Sequence, residues 1–371
     1  MNLQNLCENR TPMIVRCVPL EDRHGREVLA VIAKLTYTVA PNGVALLAEK
    51  PSPIRMSDEP HEDALFDAGW LSGQRGLVTQ WGSIRFPSDV TDEKPGTDIL
   101  LVGTAYPPLD RAITDMTVSL RLERGNATIY KAVRVHGARV HHHGMRGVAP
   151  GPAAPLRPTP LLYELAYGGY EEAPGVFNIE RRNPAGLGFV SDPTRLVGQR
   201  APVIEDARAT ATWRTPAGFG PIPASWAPRA DHMGTYDAAW QHERAPVKPV
   251  DFNPRANCCA PPDLWSDAPL AGDEPVEILG ATPEGVWRFQ LPRYGPRFFA
   301  TVRGLVSELP THLDTYLIDA DGGRVELVWR AVVPVPRPIE LIDSVLVVGD
   351  TLLPEPLEED LRRRQPASRP S

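Results

Sequence analysis

EVLAVIAKLTYTVAPNGVALLA, residues 27–48, is the clearest strand signal in the chain. Apolar and polar residues alternate in its middle: Leu35, Tyr37 and Val39 against Lys34, Thr36 and Thr38. This alternation is typical of a strand with one face towards a core. Asn42 and Gly43 then interrupt the pattern, and an Asn-Gly pair supplies the positive φ angles of a tight turn. The stretch therefore predicts a β-hairpin.

Short strand patterns recur along the rest of the chain. They lie at 96–105, 116–122, 127–137, 274–306 and 314–334. Proline accounts for 41 of the 371 residues, which is about twice its usual share. Because proline blocks helix interiors, long helices are largely excluded. We predict a mainly β protein with few short helices, of which the best candidate is 235–244 with Thr235 as N-cap.

A Pro/Gly-rich connector at 144–160 suggests a boundary near residue 150. We predict two β-sandwich-like halves. The first spans 1–150, and the second spans 151–345 and includes an irregular Pro/Gly/aromatic-rich central region. Residues 346–371, rich in charge and then in proline and serine, are expected to form a partly disordered tail.

Charge and hydropathy limit the possible partners and compartment. The net charge is −7 and Lys and Arg are scattered, so we expect no nucleic-acid partner. The first residues lack the continuous apolar core of a secretory signal, and the apolar run at 28–33 is only strand-sized. We therefore expect a cytoplasmic protein without membrane insertion. Four cysteines in a chain of 371 residues do not predict a disulfide framework.

The histidine triplet at 141–143 is the best metal candidate. In a strand, His141 and His143 would share a face and could bind one ion, whereas His142 would point away. No third ligand follows at a recognisable spacing. A polar strand edge is the simpler interpretation, and a metal-dependent hydrolase using the triplet is the alternative.

Other chemical motifs are missing from the sequence. Cys258 and Cys259 are adjacent, which suits neither chelation nor a mutual disulfide, and they are interpreted as partly buried thiols. The chain has no Gly-x-Ser-x-Gly elbow and no phosphate-binding Gly-x-x-x-x-Gly-Lys loop. We therefore expect no cofactor and no catalytic residues.

Residues 213–265 contain an unusual number of aromatic residues among rigid turns. Large rings can build a core where regular elements are few. They are also frequent at the centres of protein interfaces, and proline-fixed loops bind with little loss of entropy. Both interpretations remain open at this point. A carbohydrate-binding sandwich that uses exposed Trp residues is a third hypothesis.

Several segments of the sequence, called the family words below, resemble a bacterial family named domain of unknown function 2169. They are LYELAYGG (162–169), ERRNPAGLGF (180–189), PAGFGPIPASWAPR (216–229), GTYDAAWQHERAPVKPVDFNPRANCCAPPDL (234–264) and GDEPVEILGATPEG (272–285). Together with the two ends, the resemblance covers residues 1–345 in order. It is loosest at Cys258 and Cys259 and around the histidine triplet.

The resemblance implies an adaptor or chaperone of a type VI secretion system. Such a protein binds a secretion effector in the cytoplasm, helps to load it onto the secretion spike and possesses no established catalytic residues. A spike-tip protein is a possible second partner. From the family words we predict a partner-binding or loop-shaping set: Trp226, Tyr236, Trp240, Arg244, Phe252, Asn257 and Asp263. Within it, Arg244 and Asp263 are candidates for a hydrogen-bonded pair.

Overall fold

The computed structural model describes residues 6–62, 82–145, 147–208, 212–335 and 342–349. Strands dominate it, which confirms the mainly β prediction. Before residue 150 the strands are β1 (Cys7–Arg10), β2 (Ile14–Glu21), β3 (Glu27–Val39), β4 (Ala45–Leu47), β5 (Glu59–Pro60), β6 (Ile84–Phe86), β7 (Thr97–Val102), β8 (Thr104–Ala105), β9 (Asp115–Arg124), β10 (Ala127–His136), β11 (His141–Gly144) and β12 (Gly147–Pro150). After it come β13 (Thr159–Pro160), β14 (Tyr167–Gly168), β15 (Tyr170–Ala173), β16 (Val176–Ile179), β17 (Leu187–Gly188), β18 (Ile204–Asp206), β19 (Trp265–Ser266), β20 (Val276–Leu279), β21 (Val286–Phe289), β22 (Pro296–Val302), β23 (Leu305–Leu309), β24 (His312–Asp319), β25 (Arg324–Pro334) and β26 (Ile342–Gly349).

Helices are few and short in the described residues, as expected from the proline content. They are α1 (Ala238–Glu243) and the 3₁₀ turns Tyr163–Leu165, Pro193–Leu196, Ala230–His232, Pro254–Asn257 and Pro262–Leu264. Within the same ranges, no helix has the length and apolar character needed to cross a membrane. The helix predicted at 235–244 exists but is shorter, because Asp237 rather than Thr235 caps it by accepting the amide of Trp240 at 2.8 Å.

A seven-stranded sheet forms the centre of the fold. Its order is β19-β7-β24-β25-β3-β2, with β4 paired to β3. β7 and β24 are parallel, and the other neighbours are antiparallel. β2, β3, β4 and β7 come from before residue 150, whereas β19, β24 and β25 come from after it. The two segments on either side of the connector thus build this sheet together.

Two further sheets pack against one face of the central sheet. One is the antiparallel sheet β18-β10-β9-β20-β21, and the other is β1-β26-β22-β23, in which β1 and β26 are parallel. Odd-numbered residues of β3, such as Leu29 and Leu35, share a core with Leu120 of β9 and Val345 of β26. Since side chains alternate along a strand, this core accounts for only one face of β3.

The alternation predicted for β3 is confirmed, but its polar face is also buried. Lys34 and Thr36 point away from the main core and are almost fully covered. The segments around 52–55 and 88–94 cover this face: Lys34 donates to the carbonyl of Pro53 at 3.0 Å, and Thr36 accepts the amide of Ser52 at 3.0 Å. The face therefore needs internal polar partners rather than water.

The hairpin at 27–48 is confirmed, with a difference at its turn. Of the Asn-Gly pair only Gly43 has a positive φ, of +85°. The Asn42 side chain instead accepts the amide of Val44 at 3.2 Å. A Cβ on Gly43 would lie 2.2 Å from the carbonyl oxygen of Arg288, so glycine is required there for space as well as for φ.

β26 extends into the segment that the sequence analysis assigns to the tail. β26 continues to Gly349 because Val347 is fully buried in the core and Val348 is nearly so. Strand pairing with β22 extends to the same end, where Gly349 lies opposite Pro296. The rest of the predicted tail, 350–371, lies outside the described residues.

Candidate functional site

Tyr163 is the centre of the irregular region that follows the connector. Its ring packs edge-to-face on Trp226, with 5.5 Å between the ring centroids. Its hydroxyl donates to the carbonyl of Gly220 at 3.1 Å, and its own carbonyl accepts the side-chain amide of Asn183 at 2.7 Å. A Cβ on Gly218 would lie 2.5 Å from the same ring. One buried tyrosine therefore joins three separate stretches of the chain.

Asn183 and its neighbouring glycines allow two of these stretches to touch through their backbones. The side-chain amide of Asn183 also donates to the carbonyl of Tyr167 at 2.9 Å. A Cβ on Gly168 would lie 2.1 Å from the carbonyl oxygen of Asn183, and one on Gly186 would lie 2.6 Å from that of Ala166. These contacts explain why the sequence words contain glycine at these positions. Trp226 is fully buried, and its ring packs on that of Tyr163.

The buried carboxyl of Glu164 ties the same region to the strand segment that begins near residue 82. It accepts the amide and the hydroxyl of Ser83, each at 2.8 Å. Burial raises the pKa of Glu164 in spite of these two donors. The contact is structural, since both groups of Ser83 are used in holding the loop.

The segment 251–263 is fastened to the central sheet by polar contacts. Asp98 of β7 accepts the amides of Cys259 at 2.9 Å and Ala260 at 3.0 Å. Asn257 donates to Asp92 at 3.1 Å and to the carbonyl of Glu93 at 2.7 Å. Asn257 therefore links this loop to the 92–93 segment.

Cys258 and Cys259 are buried free thiols. Burial, reinforced by the charge of Asp98, raises the pKa of Cys258 to about 12 and also raises the pKa of Cys259. Thiols in this state are poor nucleophiles and poor metal ligands. The thiol of Cys259 donates a hydrogen bond to Asp98 at 3.5 Å.

The predicted pair of Arg244 and Asp263 is wrong. Arg244 donates from Nη2 to the carbonyl of Arg23 at 3.2 Å and from Nε to the carbonyl of Lys248. Asp263 forms an ion pair with Lys131 of β10 at 3.0 Å. The two residues face different elements: Arg244 is directed at the turn between β2 and β3, whereas Asp263 is directed at β10.

Tyr236 and Trp240 form an aromatic pair at the surface. Their ring centroids lie 4.6 Å apart in an edge-to-face arrangement. Tyr236 is 50% exposed and Val250, which follows the same loop, is 83% exposed. Thr235 donates from its amide and its hydroxyl to Asp251, at 3.0 and 2.7 Å, and so brings these residues together. We call Tyr236, Trp240 and Val250 the aromatic surface.

The aromatic surface is held rigidly although α1 has no buried residue. Trp240 donates from its indole nitrogen to the carbonyl of Val247 at 2.8 Å, and Asp237 caps the helix. Arg244 anchors the end of the helix to the β2–β3 turn. Lys248 lies over the ring of buried Phe252 at 4.5 Å and pairs with Asp92 at 3.1 Å.

An open groove of about 920 Å³ lies on another side of the central region. Its floor contains Leu165, Leu187 and Val203, and its lining includes the exposed arginines Arg157 and Arg200. The aliphatic floor and the arginines at the rim together suit an extended peptide segment that has apolar side chains and a carboxylate.

The histidine triplet does not gather ligands in the described structure. His141 in β11 is 1% exposed and its ring lies 5.0 Å from that of Trp213, whereas His142 and His143 are exposed. Burial lowers the pKa of His141. Across those residues, no group of three or more His, Cys, Asp or Glu side chains could hold a metal ion.

Sequence reasoning missed a buried ionic network on the outer face of the central sheet. Lys34 pairs with Asp89 at 2.5 Å and with Glu326 at 3.3 Å, and Arg55 pairs with the same Glu326. Arg330 pairs with Asp314 at 2.8 Å and donates to the carbonyls of the 89–91 segment. The polar residues of β3 were a signal for this layer, but their partners are far away in sequence.

One family model matches most of the chain. It is described as "Uncharacterized protein conserved in bacteria (DUF2169)" and matches residues 24–330. The matched range contains the group formed by Tyr163, Asn183, Gly218 and Trp226, which we call the Tyr163 cluster. It also contains the 251–263 loop and the aromatic surface. No curated protein and no solved structure gives a match to the chain.

Proposed function

Because the chain belongs to this bacterial family, domain of unknown function 2169, we propose that it is a non-enzymatic adaptor or chaperone. In this proposal it binds a type VI secretion effector in the cytoplasm and assists its loading onto the secretion spike. A spike-tip protein is the second proposed partner. The observation that carries the proposal is the surface aromatic pair of exposed Tyr236 and half-buried Trp240.

Exposed aromatic residues on a fixed backbone are well suited to protein recognition. Trp and Tyr supply large contact areas and are enriched among the residues that dominate binding free energy. A surface that is already ordered loses little entropy when a partner binds. Asp237, Trp240 and Arg244 supply this order through the cap and the carbonyl contacts described above.

The groove offers a second contact area for the same partner. An effector segment with aliphatic residues would cover Leu165 and Leu187, and its carboxylates would meet Arg157 and Arg200. Pairs of this kind at the rim contribute mainly to association rate and specificity. The aromatic surface is therefore expected to contribute more to affinity than the groove.

Co-expression with effectors encoded beside the gene tests the role. We expect a complex that survives gel filtration. Tyr236→Ala should weaken it roughly tenfold or more, as for a residue at the centre of an interface. Tyr130→Ala is the matched control, since Tyr130 is 54% exposed on β10 and lies outside the aromatic surface.

The possible outcomes test the adaptor role and the position of the docking site separately. If no neighbouring effector forms a complex with the wild-type chain, the adaptor role is wrong. If a complex forms and Tyr236→Ala binds as tightly as Tyr130→Ala, the role stands and the aromatic surface is not the docking site.

A further inference from the structure

Cys7 and Cys17 bring two thiols together between two sheets. Cys7 lies in β1 opposite Val345 of β26, and Cys17 lies in β2 opposite Val31 of β3. The two side chains are hydrogen-bonded to each other. Both are free and half-buried. The contact therefore joins the edge of the four-stranded sheet to the edge of the central sheet.

Small molecules in solvent have access to this pair. Both cysteines line one open cavity of about 380 Å³, and Arg16 lines it as well. The arginine is exposed and contributes a positive charge to the lining. An anionic thiol reagent is therefore attracted to the site. Cys258 and Cys259 are buried in the loop beside Asp98 and have no comparable access.

The hydrogen bond shifts the pKa values of the two thiols in opposite directions. It lowers the pKa of Cys7, although burial opposes this, because the thiol of Cys17 donates to the sulfur of Cys7 and favours its thiolate. The same hydrogen bond, together with burial, raises the pKa of Cys17. A thiolate is the nucleophile in disulfide exchange. Cys7 is thus suited to attack first and Cys17 to react second.

We propose that Cys7 and Cys17 form a thiol–disulfide site that an anionic low-molecular-weight disulfide, such as oxidised glutathione, converts into an internal disulfide. The Cys7 thiolate attacks one sulfur of the reagent, breaks its S–S bond and releases one thiolate. The released thiolate takes the proton of Cys17. The Cys17 sulfur then attacks the Cys7 sulfur, and the second half of the reagent leaves as a thiolate, which takes from solvent the proton that Cys7 had released. Two protein thiols are oxidised and one small disulfide is reduced to two thiols.

The disulfide would lock the first strand of the described chain in place. β1 lies at the edge of its sheet and is hydrogen-bonded there to β26. A covalent bond to β2 would close a short loop through residues 8–16 and restrict the unfolded chain. Oxidation is therefore expected to raise the unfolding midpoint by a few degrees, and reduction should reverse the shift.

Intact mass spectrometry and thiol labelling test the proposal on the full chain. After incubation with oxidised glutathione we expect a loss of the mass of two hydrogen atoms, and the number of thiols that can be labelled after unfolding should fall from four to two. Peptide mapping should identify the Cys7–Cys17 bond. Cys17→Ser should stop the reaction at a glutathione adduct on Cys7, whereas Cys7→Ser should react at least tenfold more slowly.

The same measurements can also contradict the proposal of a Cys7–Cys17 disulfide. An internal disulfide that includes Cys258 or Cys259 would overturn the proposal. So would a wild-type protein that keeps four free thiols, or one that stops at a mixed disulfide as the Cys17→Ser variant does. A double variant, Cys258→Ala with Cys259→Ala, keeps the proposed site and should still lose two hydrogen atoms.

Discussion

The carboxylate of Asp98 accepts the backbone amide of Cys259 at 2.9 Å and the thiol of the same residue at 3.5 Å, so a strand of the central sheet holds the cysteine loop through both groups. Lys94 neutralises the same carboxylate at 2.8 Å and also donates to Thr315 at 2.9 Å. Burial alone would raise the pKa of Asp98, but Lys94 and the two amide donors lower it. The pair explains how a loop without regular structure becomes part of a β core.

Asp98→Ala should be strongly destabilising. The change leaves the fully buried ammonium of Lys94 without its counter-ion and removes the acceptor of two amides. Removing one partner of a buried ion pair costs about 3–5 kcal/mol. Urea unfolding measures this loss, and Cys259→Ala, which retains the backbone amide, should lose less than half as much. Equal losses for the two variants would contradict the role of Asp98.

Replacing both adjacent cysteines by alanine should leave effector binding within about twofold of the wild type. The thiols are buried, and the loop is held by its amides and by Asn257. Titration of the variant against a bound effector is the measurement. A loss of affinity at unchanged stability would show that the thiols themselves take part in recognition.

Gly218→Ala and Gly220→Ala should differ sharply. The new Cβ at 218 would lie 2.5 Å from the Tyr163 ring, whereas at 220 the nearest ring atom is 4.0 Å away. Overpacking of a filled core costs about 1–3 kcal/mol, while alanine at a tolerant glycine is near neutral. Thermal unfolding compares the two directly. Equal midpoints would mean that the Tyr163 cluster is not tightly packed.

Protonation of Glu326 at acid pH should lower the free energy of unfolding. Burial opposes its charge, but the hydrogen bond from Arg55 and the charges of Lys34 and Arg55 lower the pKa of Glu326 from an ordinary 4.5 to about 2. Because the folded pKa is depressed, its stabilisation is present above about pH 4.5 and is lost as the pH falls towards 2. The depressed pKa of Glu326 corresponds to roughly 3 kcal/mol of stabilisation at neutral pH.

Glu326→Gln isolates this contribution. The free energy of unfolding of the variant should be lower at neutral pH and should decline less between about pH 5 and pH 2 than that of the wild type. Urea titrations at several pH values provide both curves. Parallel curves would show that the carboxylate has the same pKa in the folded and unfolded chain.

Asp237→Ala should weaken effector binding more than it weakens the fold. The aspartate caps α1 through the amide of Trp240, and a lost N-cap costs about 1 kcal/mol. Since α1 has no buried residue, global unfolding should change little. Calorimetric binding and thermal unfolding together distinguish the two effects. Asp231→Ala, at an exposed position before the helix, is the control.

Local patterns were sufficient where neighbours in sequence are neighbours in space. The β3–β4 hairpin, the β9–β10 pair and the scarcity of helix follow from alternation, turn residues and proline. Gly169, with its positive φ, and Gly218, against the Tyr163 ring, occupy positions of the family words where a larger residue would be strained or would clash. The pairing of Arg244 with Asp263 failed because side-chain partners depend on how distant loops are arranged.

By itself, then, the sequence determined the class of fold, its short elements and the family to which the chain belongs, since these depend on backbone preferences and on the order of residues. Only the tertiary structure decided which residues meet. It buried Trp226 beside Tyr163, brought Lys34 to Glu326 and joined Cys7 to Cys17. It also left Tyr236 at the surface. Burial and charge pairing are properties of packed, non-local contacts, and spacing along a chain does not encode them.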